Sequence, residues 1–176
     1  MKKHIYTILI SFFLIGTCVL LILKHYNSKD TLSEQLSKID TEMRSTWIDK
    51  QLIYPSELIP INTNEEFKTL MNTKETLTVN YLDSDCSVCV EDLKSWDTYL
   101  TDTKKKAVFI ISGSEQLKVD YMINDVLFFK HPVFYDEYDA FNQTNELPYY
   151  KAYHSFQLKD KKIVDIGSPI LLENLK

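Results

Sequence analysis

The sequence predicts an α/β fold with a mixed sheet flanked by helices, preceded by an N-terminal transmembrane helix and a helical stalk. Three observations predict it. β-rich runs alternate with helical ones beyond residue 62, only Lys159-Asp160-Lys161 joins the last two strands, and an uncharged apolar run from Ile5 to Leu23 opens the chain. A length of 176 residues leaves room for one ordinary domain with an appendage. Apolar residues at 44% and charged residues at 26% suit a folded chain and disfavour wholesale disorder or a polytopic membrane protein.

The Ile5 to Leu23 run lies between Lys2, Lys3 and His4 on one side and Lys24 and His25 on the other. As a helix it reaches roughly 28 Å, close to a hydrocarbon core of about 30 Å and longer than the apolar region of a cleaved signal. It is expected to be an uncleaved anchor. The lysines ahead of it favour a cytoplasmic N-terminus and an extracytoplasmic domain, periplasmic where there is an outer membrane. Ile15-Gly16-Thr17-Cys18 loosely resembles a lipoprotein cleavage box. Thr17 is large for that role, however, and the apolar run continues past Cys18. Either reading places the domain outside the cytoplasm.

Leu32, Leu36, Ile39, Met43 and Trp47 form one apolar helical face over residues 30–48, and Thr31 with Glu34 suits a capping box. This is the expected stalk. Pro55 and Pro60 interrupt any helix, which puts the domain boundary between residues 48 and 62: stalk and linker over 24–61, domain over 62–176. The expected strands are Leu77 to Leu82, Ala107 to Ser112, Pro132 to Asp136, Ala152 to Leu158 and Lys162 to Ile166. Expected helices are Asn64 to Met71, Ser87 to Thr101, Glu115 to Val126, Glu137 to Asn142 and a short Leu171 to Leu175.

Composition narrows the chemistry. Net charge is −5 and the basic residues are scattered apart from the short run Lys104-Lys105-Lys106, so no surface for a phosphate backbone is expected and nucleic acid is not a predicted partner. The three glycines, Gly16, Gly113 and Gly167, cannot write a dinucleotide or P-loop fingerprint, and no cofactor is implied. The informative motif is Asp85-Cys86-Ser87-Val88-Cys89, placed where a strand should give way to a helix. A cysteine at a helix N-terminus meets unpaired N–H groups and the positive end of the dipole, which favour thiolate. Cys86 would then be the nucleophile and Cys89, one turn on, the resolving thiol. Two readings compete. A metal site would need more ligands than His131 and His154, which lack metal-motif spacing, and a merely structural disulfide would close too small a loop to stabilise much. Val90 stands where a haem motif needs histidine.

Asn80-Tyr81-Leu82-Asp83-Ser84-Asp85-Cys86-Ser87-Val88-Cys89 resembles the strand-to-helix active site of the thioredoxin superfamily, especially its membrane-anchored extracytoplasmic oxidoreductases and redoxins of bacteria. Ser155 to Pro169 is similar to the family's closing hairpin. The likeness covers residues 62–176 and implies reduction or exchange of disulfides in exported proteins, with a protein disulfide or thiol as partner. It implies Cys86 and Cys89 as the catalytic pair. Asp85 stands where the family usually has an aromatic residue; a neighbouring carboxylate disfavours the thiolate and marks Asp85 as modulating the thiol pKa. Tyr153 and His154 stand where the family has a cis-proline beside the substrate, so both are candidates to face it. A thioredoxin-like peroxidase would need a proline and threonine shortly before its cysteine, and no proline lies between Pro60 and Cys86. The remaining alternative is a non-catalytic binding or redox-sensing module on the same fold.

Overall fold

The computed structural model describes residues 16–17, 21, 24, 33–72, 75–84 and 88–170, with backbone only for 88–90. The chain forms two compact units, Met1–Glu42 and Met43–Lys176. Within the first, residues 33–42 are helical and Thr41 Oγ donates 2.8 Å to the Ser37 carbonyl, one turn earlier. Helix α1 covers residues 33–47, and its last turn belongs to the second unit. The apolar run from Ile5 to Leu23 and the Thr31 cap lie almost wholly outside the described residues. Among those described, no helix is long and apolar enough to cross a membrane.

The second unit is built on a six-stranded mixed sheet among the described residues, in the order β1-β4-β3-β2-β5-β6. The strands are β1 (Ile59–Pro60), β2 (Leu77–Asp83), β3 (Lys106–Ser112), β4 (Val133–Asp136), β5 (Ser155–Lys159) and β6 (Lys162–Ile166). β2, β3 and β4 run parallel, with Leu82 opposite Ile111 and Ile110 opposite Phe134; β1, β5 and β6 pair antiparallel. Strand side chains alternate between the faces, so β2 sends Leu77, Val79 and Tyr81 one way and Thr78, Asn80 and Leu82 the other. Helices α2 (Phe67–Met71), α3 (Val88–Thr103), α4 (Gln116–Tyr121) and α5 (Ala140–Asn145) flank it.

One face is closed by α3, α4 and the turn Met122–Val126 that follows it, where Leu93, Trp96, Leu100, Val119 and Ile123 meet Phe109, Ile111, Val133 and Tyr135. The other is closed by aromatic rings. Tyr54 contacts Phe67 and Phe141 at centroid distances of 4.8 and 5.9 Å, Phe67 meets Phe134 edge-on at 5.0 Å, and Trp47 lies 5.2 Å from Phe156. Burial of the Tyr54 ring holds its phenol protonated well above the usual tyrosine range.

Several elements depart from expectation for identifiable reasons. Residues 43–61, assigned from the sequence to stalk and linker, supply buried Trp47 and Leu52 as well as strand β1. The prolines had masked β1. Pro60 sits at an edge, where a missing N–H costs no ladder bond. The helix expected over Glu115 to Val126 is α-helical only to Tyr121; Met122–Val126 widens to a π-turn, in which Leu127 N–H donates 2.9 Å to the Met122 carbonyl. α5 starts at Ala140 rather than Glu137 because both Asp136 carboxylate oxygens accept backbone N–H groups, from Ala140 at 3.0 Å and Phe141 at 2.8 Å. α2 begins at Phe67, later than expected. Residues 171–175, expected to be helical, lie outside the described residues.

Candidate active site

β2 delivers the C-x-x-C segment to the C-terminal edge of the parallel strands and α3 receives it. Asp83 ends the strand, Ser84 turns, and the helix begins at Val88, so Cys89 stands in its first turn. Asp85, Cys86 and Ser87 lie outside the described residues. Ser84 N–H donates 2.8 Å to the Ser112 carbonyl, which extends the β2–β3 pairing by one residue into the turn. Gly113 follows at the same level: a Cβ there would lie 1.8 Å from Ser84 Oγ and 3.0 Å from its Cβ, so any side chain at 113 would displace the Ser84 side chain. Among the described residues, Ser84 Oγ and Asn80 Nδ2 are buried with no hydrogen-bond partner, while Asn80 Oδ1 accepts from Ser155 Oγ at 2.6 Å.

The segment ahead of β5 packs against this edge. A strand was expected from Ala152, but Lys151–Tyr153 forms a 3-10 turn, with His154 N–H donating 3.0 Å to the Lys151 carbonyl. No cis peptide bond occurs among the described residues, so Tyr153 and His154 are joined in trans. The His154 carbonyl accepts from Tyr81 N–H at 2.9 Å, which fixes the turn to β2. Tyr153 is buried, at 5% exposure. The His154 ring is half-buried and meets Tyr81 edge-on at 5.6 Å. Its Nε2 is 2.7 Å from the Pro148 carbonyl, an acceptor only; Nε2 therefore carries the proton and Nδ1 keeps its lone pair. Tyr81 Oη lies 2.8 Å from Ser112 Oγ and also bonds the Asp139 carboxylate.

Charge converges on the same edge. Lys151 Nζ lies 3.7 Å from Asp83 Oδ2, and Asp92 is held above the ordinary carboxylate range by burial and by Glu91, with Lys151 acting the other way. The sequence did not single out Lys151 or Asp139, and Tyr81 and Asp83 entered only as part of the Asn80 to Cys89 segment, without a role of their own. They come from three separated stretches, and no spacing along the chain signals their meeting. No group of three metal-ligating side chains occurs among the described residues.

Burial lowers His154 and also lowers His131, whose Nε2 faces Asp97 Oδ1 at 3.4 Å. Both are disposed to be neutral when folded, whereas in the unfolded chain they titrate near 6.5. The unfolded state then binds more protons below that pH, and the stability these residues contribute at neutral pH is lost as pH falls from about 6.5 through their folded values. Thermal unfolding is expected to occur at lower temperature at pH 5.5 than at 7.5, and His154→Gln should flatten part of that slope. An unchanged slope in the variant would assign the pH dependence elsewhere.

No family model matches the sequence, and no curated protein matches it. Solved structures do match. A thioredoxin-like protein in its oxidised form, known from a solution structure, superposes with a TM-score of 0.56 over 73% of this chain and 92% of its own, at 14% identity. The fold is thioredoxin-like. A protein assigned as the thiol:disulfide interchange protein DsbE of Chlorobium tepidum gives 0.53, covering 73% of this chain and 93% of its own at 14% identity. In this thioredoxin-like sheet, the C-x-x-C segment occupies the connection from β2 into α3, the longest helix among the described residues.

Proposed function

We propose that the chain is a thiol-disulfide oxidoreductase that acts on protein disulfides through Cys86 and Cys89. The observation that carries this reading is the position of the C-x-x-C segment, between the C-terminal end of a central parallel strand and the N-terminus of a long helix. There the helix dipole and unpaired N–H groups favour a thiolate. The Cys86 thiolate attacks one sulfur of a substrate disulfide, forming a mixed disulfide as the substrate S–S bond breaks; the departing substrate thiolate takes a proton. Cys89, deprotonated, then attacks the Cys86 sulfur and releases the second substrate thiol. The substrate gains two electrons, and the pair is left as a disulfide for reduction by an external thiol.

His154 stands beside β2 in the place of the family's cis-proline, with an unprotonated Nδ1, and is the better candidate than buried Tyr153 for contact with substrate. Residues 5–23 anchor the chain in the membrane in this reading, and the domain works outside the cytoplasm. A Cys89→Ser chain cannot resolve the mixed disulfide, so it should accumulate covalent adducts with a model disulfide protein that dithiothreitol releases. Absence of adducts with reactive Cys86 intact would favour a binding module instead.

Asp85 adds a like charge beside the thiolate. Asp85→Asn is expected to acidify Cys86 and raise the reduction potential of the pair, where one pKa unit corresponds to about 1.4 kcal/mol or roughly 30 mV for two electrons. A glutathione titration of parent and variant checks this; coincident curves would remove Asp85 from the redox chemistry.

A further inference from the structure

The helical element 116–126, α4 continued by the π-turn Met122–Val126, is apolar on two opposite sides. Val119 and Ile123 point into the core and are fully buried. Leu117 and Tyr121 stand about half a turn away from them and face solvent at 82% and 62% exposure. Val126 and Phe128 add two more exposed apolar side chains at the C-terminal end, at 50% and 71%. A helix that is apolar all round is ordinarily a buried one. A whole aromatic side chain carries about 150 to 250 Å², so these four together leave roughly 500 Å² of apolar surface in water. A patch of that size marks an interaction surface, and it amounts to more than half of the ~800 Å² that one side of a stable protein contact buries.

Phe128 is held outward by its backbone. Leu127 N–H donates 2.9 Å to the Met122 carbonyl and Phe129 N–H donates 3.0 Å to the Ile123 carbonyl, which ends the element and turns Phe129 into the core. Between them Phe128 takes a φ of 51°, the left-handed region that glycine or asparagine normally fills at a helix end. A bulky residue there costs about 1 to 2 kcal/mol, and within one chain little burial offsets it. Charge along the element indicates what covers the patch. Glu115 precedes the first turn and Lys130 follows the last, both exposed, while Lys118 and Asp125 are spaced about the same centre in the opposite order. When two copies lie antiparallel, the acid of each pair comes opposite the base of the other copy, and Leu117 comes opposite Phe128. Asp120 accepts from Asn124 Nδ2 at 2.9 Å within its own copy. An anionic bilayer, by contrast, would meet three carboxylates.

We propose that this surface is the contact of a homodimer, in which Leu117, Tyr121, Val126 and Phe128 of one copy pack antiparallel on the same residues of a second copy about a twofold axis near Met122. Such a contact is isologous and closes on itself. Burial of the Phe128 ring then offsets its backbone cost. The proposal goes beyond the redox reading and does not depend on it, because none of these side chains belongs to the C-x-x-C segment.

The test is a photo-cross-link in the full chain, in phosphatidylcholine vesicles, with p-benzoylphenylalanine in place of Phe128 and with isotope-labelled and unlabelled copies mixed. Peptide mass should show residue 128 of one copy joined to the Gln116–Tyr121 stretch of another. Tyr121→Asp is expected to lower that yield at least about tenfold, as loss of a central anchor does, while thermal unfolding stays near the parent's because the ring is exposed. Lys130→Glu should lower it by about threefold, and Glu115→Lys added to it should restore the yield. Sedimentation of the unlabelled full chain in dodecyl maltoside should show a concentration-dependent dimer that Tyr121→Asp removes. Cross-links confined to lipid or to other sites would overturn the proposal, as would a monomer at every concentration or a yield that Tyr121→Asp leaves unchanged. A yield indifferent to both charge variants would overturn the antiparallel pairing.

Discussion

Cys86→Ser is expected to abolish reduction of a protein disulfide, lowering the rate by at least about 10³-fold to the uncatalysed background. A serine hydroxyl is neither ionised at neutral pH nor able to form a mixed disulfide. Cys89→Ser should differ in kind, since the first attack remains possible and the adduct then waits for an external thiol. The pair of variants separates nucleophile from resolving thiol: loss of adducts in Cys86→Ser with their accumulation in Cys89→Ser supports the assignment, and the reverse pattern would exchange the two roles. Circular dichroism of both chains should match the parent, because neither substitution alters volume much.

The second large effect concerns stability. Phe109 lies in the central parallel strand β3, fully buried, with Phe129 edge-on at 5.0 Å and Trp96 at 5.8 Å. Phe109→Ala removes most of that ring contact and leaves a cavity between sheet and α3, which costs about 3 to 5 kcal/mol. Domains of this size are stable by only about 5 to 15 kcal/mol, so the variant should unfold at a much lower urea concentration, with α3 losing its support on the sheet. Tyr149→Ala is the contrasting case. Tyr149 is 93% exposed, and its removal should stay within about 0.5 kcal/mol. Comparable losses in both variants would contradict the packing described for the α3 face.

Much of this architecture was legible in the sequence, because burial writes itself as periodicity. Leu77 to Leu82 and Ala107 to Ser112 read as strands from their β-branched and aromatic content, and both pair in the sheet. Lys159 to Lys161 announced a hairpin too short for a crossover, and β5 and β6 pair antiparallel. What the sequence concealed depends on partners distant along the chain. Ile59–Pro60 is a strand only because β4 offers it an edge, and Trp47 enters the core only because Phe156 is there to meet it. Asp136 caps α5 from four residues ahead of its start and so shifts it. The site follows the same division. The C-x-x-C pair is local and was legible, whereas Lys151, Asp83 and Tyr81 come together through the antiparallel pairing of β5 with β2 and the turn that precedes it. His154 was singled out by the absence of a proline, but its tautomer is set by the Pro148 carbonyl, a contact no pattern of residue types encodes.

The central claim is that Cys86 and Cys89 work as one redox couple, and a thiol count across a glutathione redox series in the full chain tests it most directly. Peptide mass after alkylation distinguishes these cysteines from Cys18. The account predicts that both thiols disappear together in a single two-electron transition, forming an 86–89 disulfide that dithiothreitol reverses. Independent glutathionylation of the two cysteines, or thiols that stay reduced in oxidising buffer while remaining open to alkylation, would contradict it.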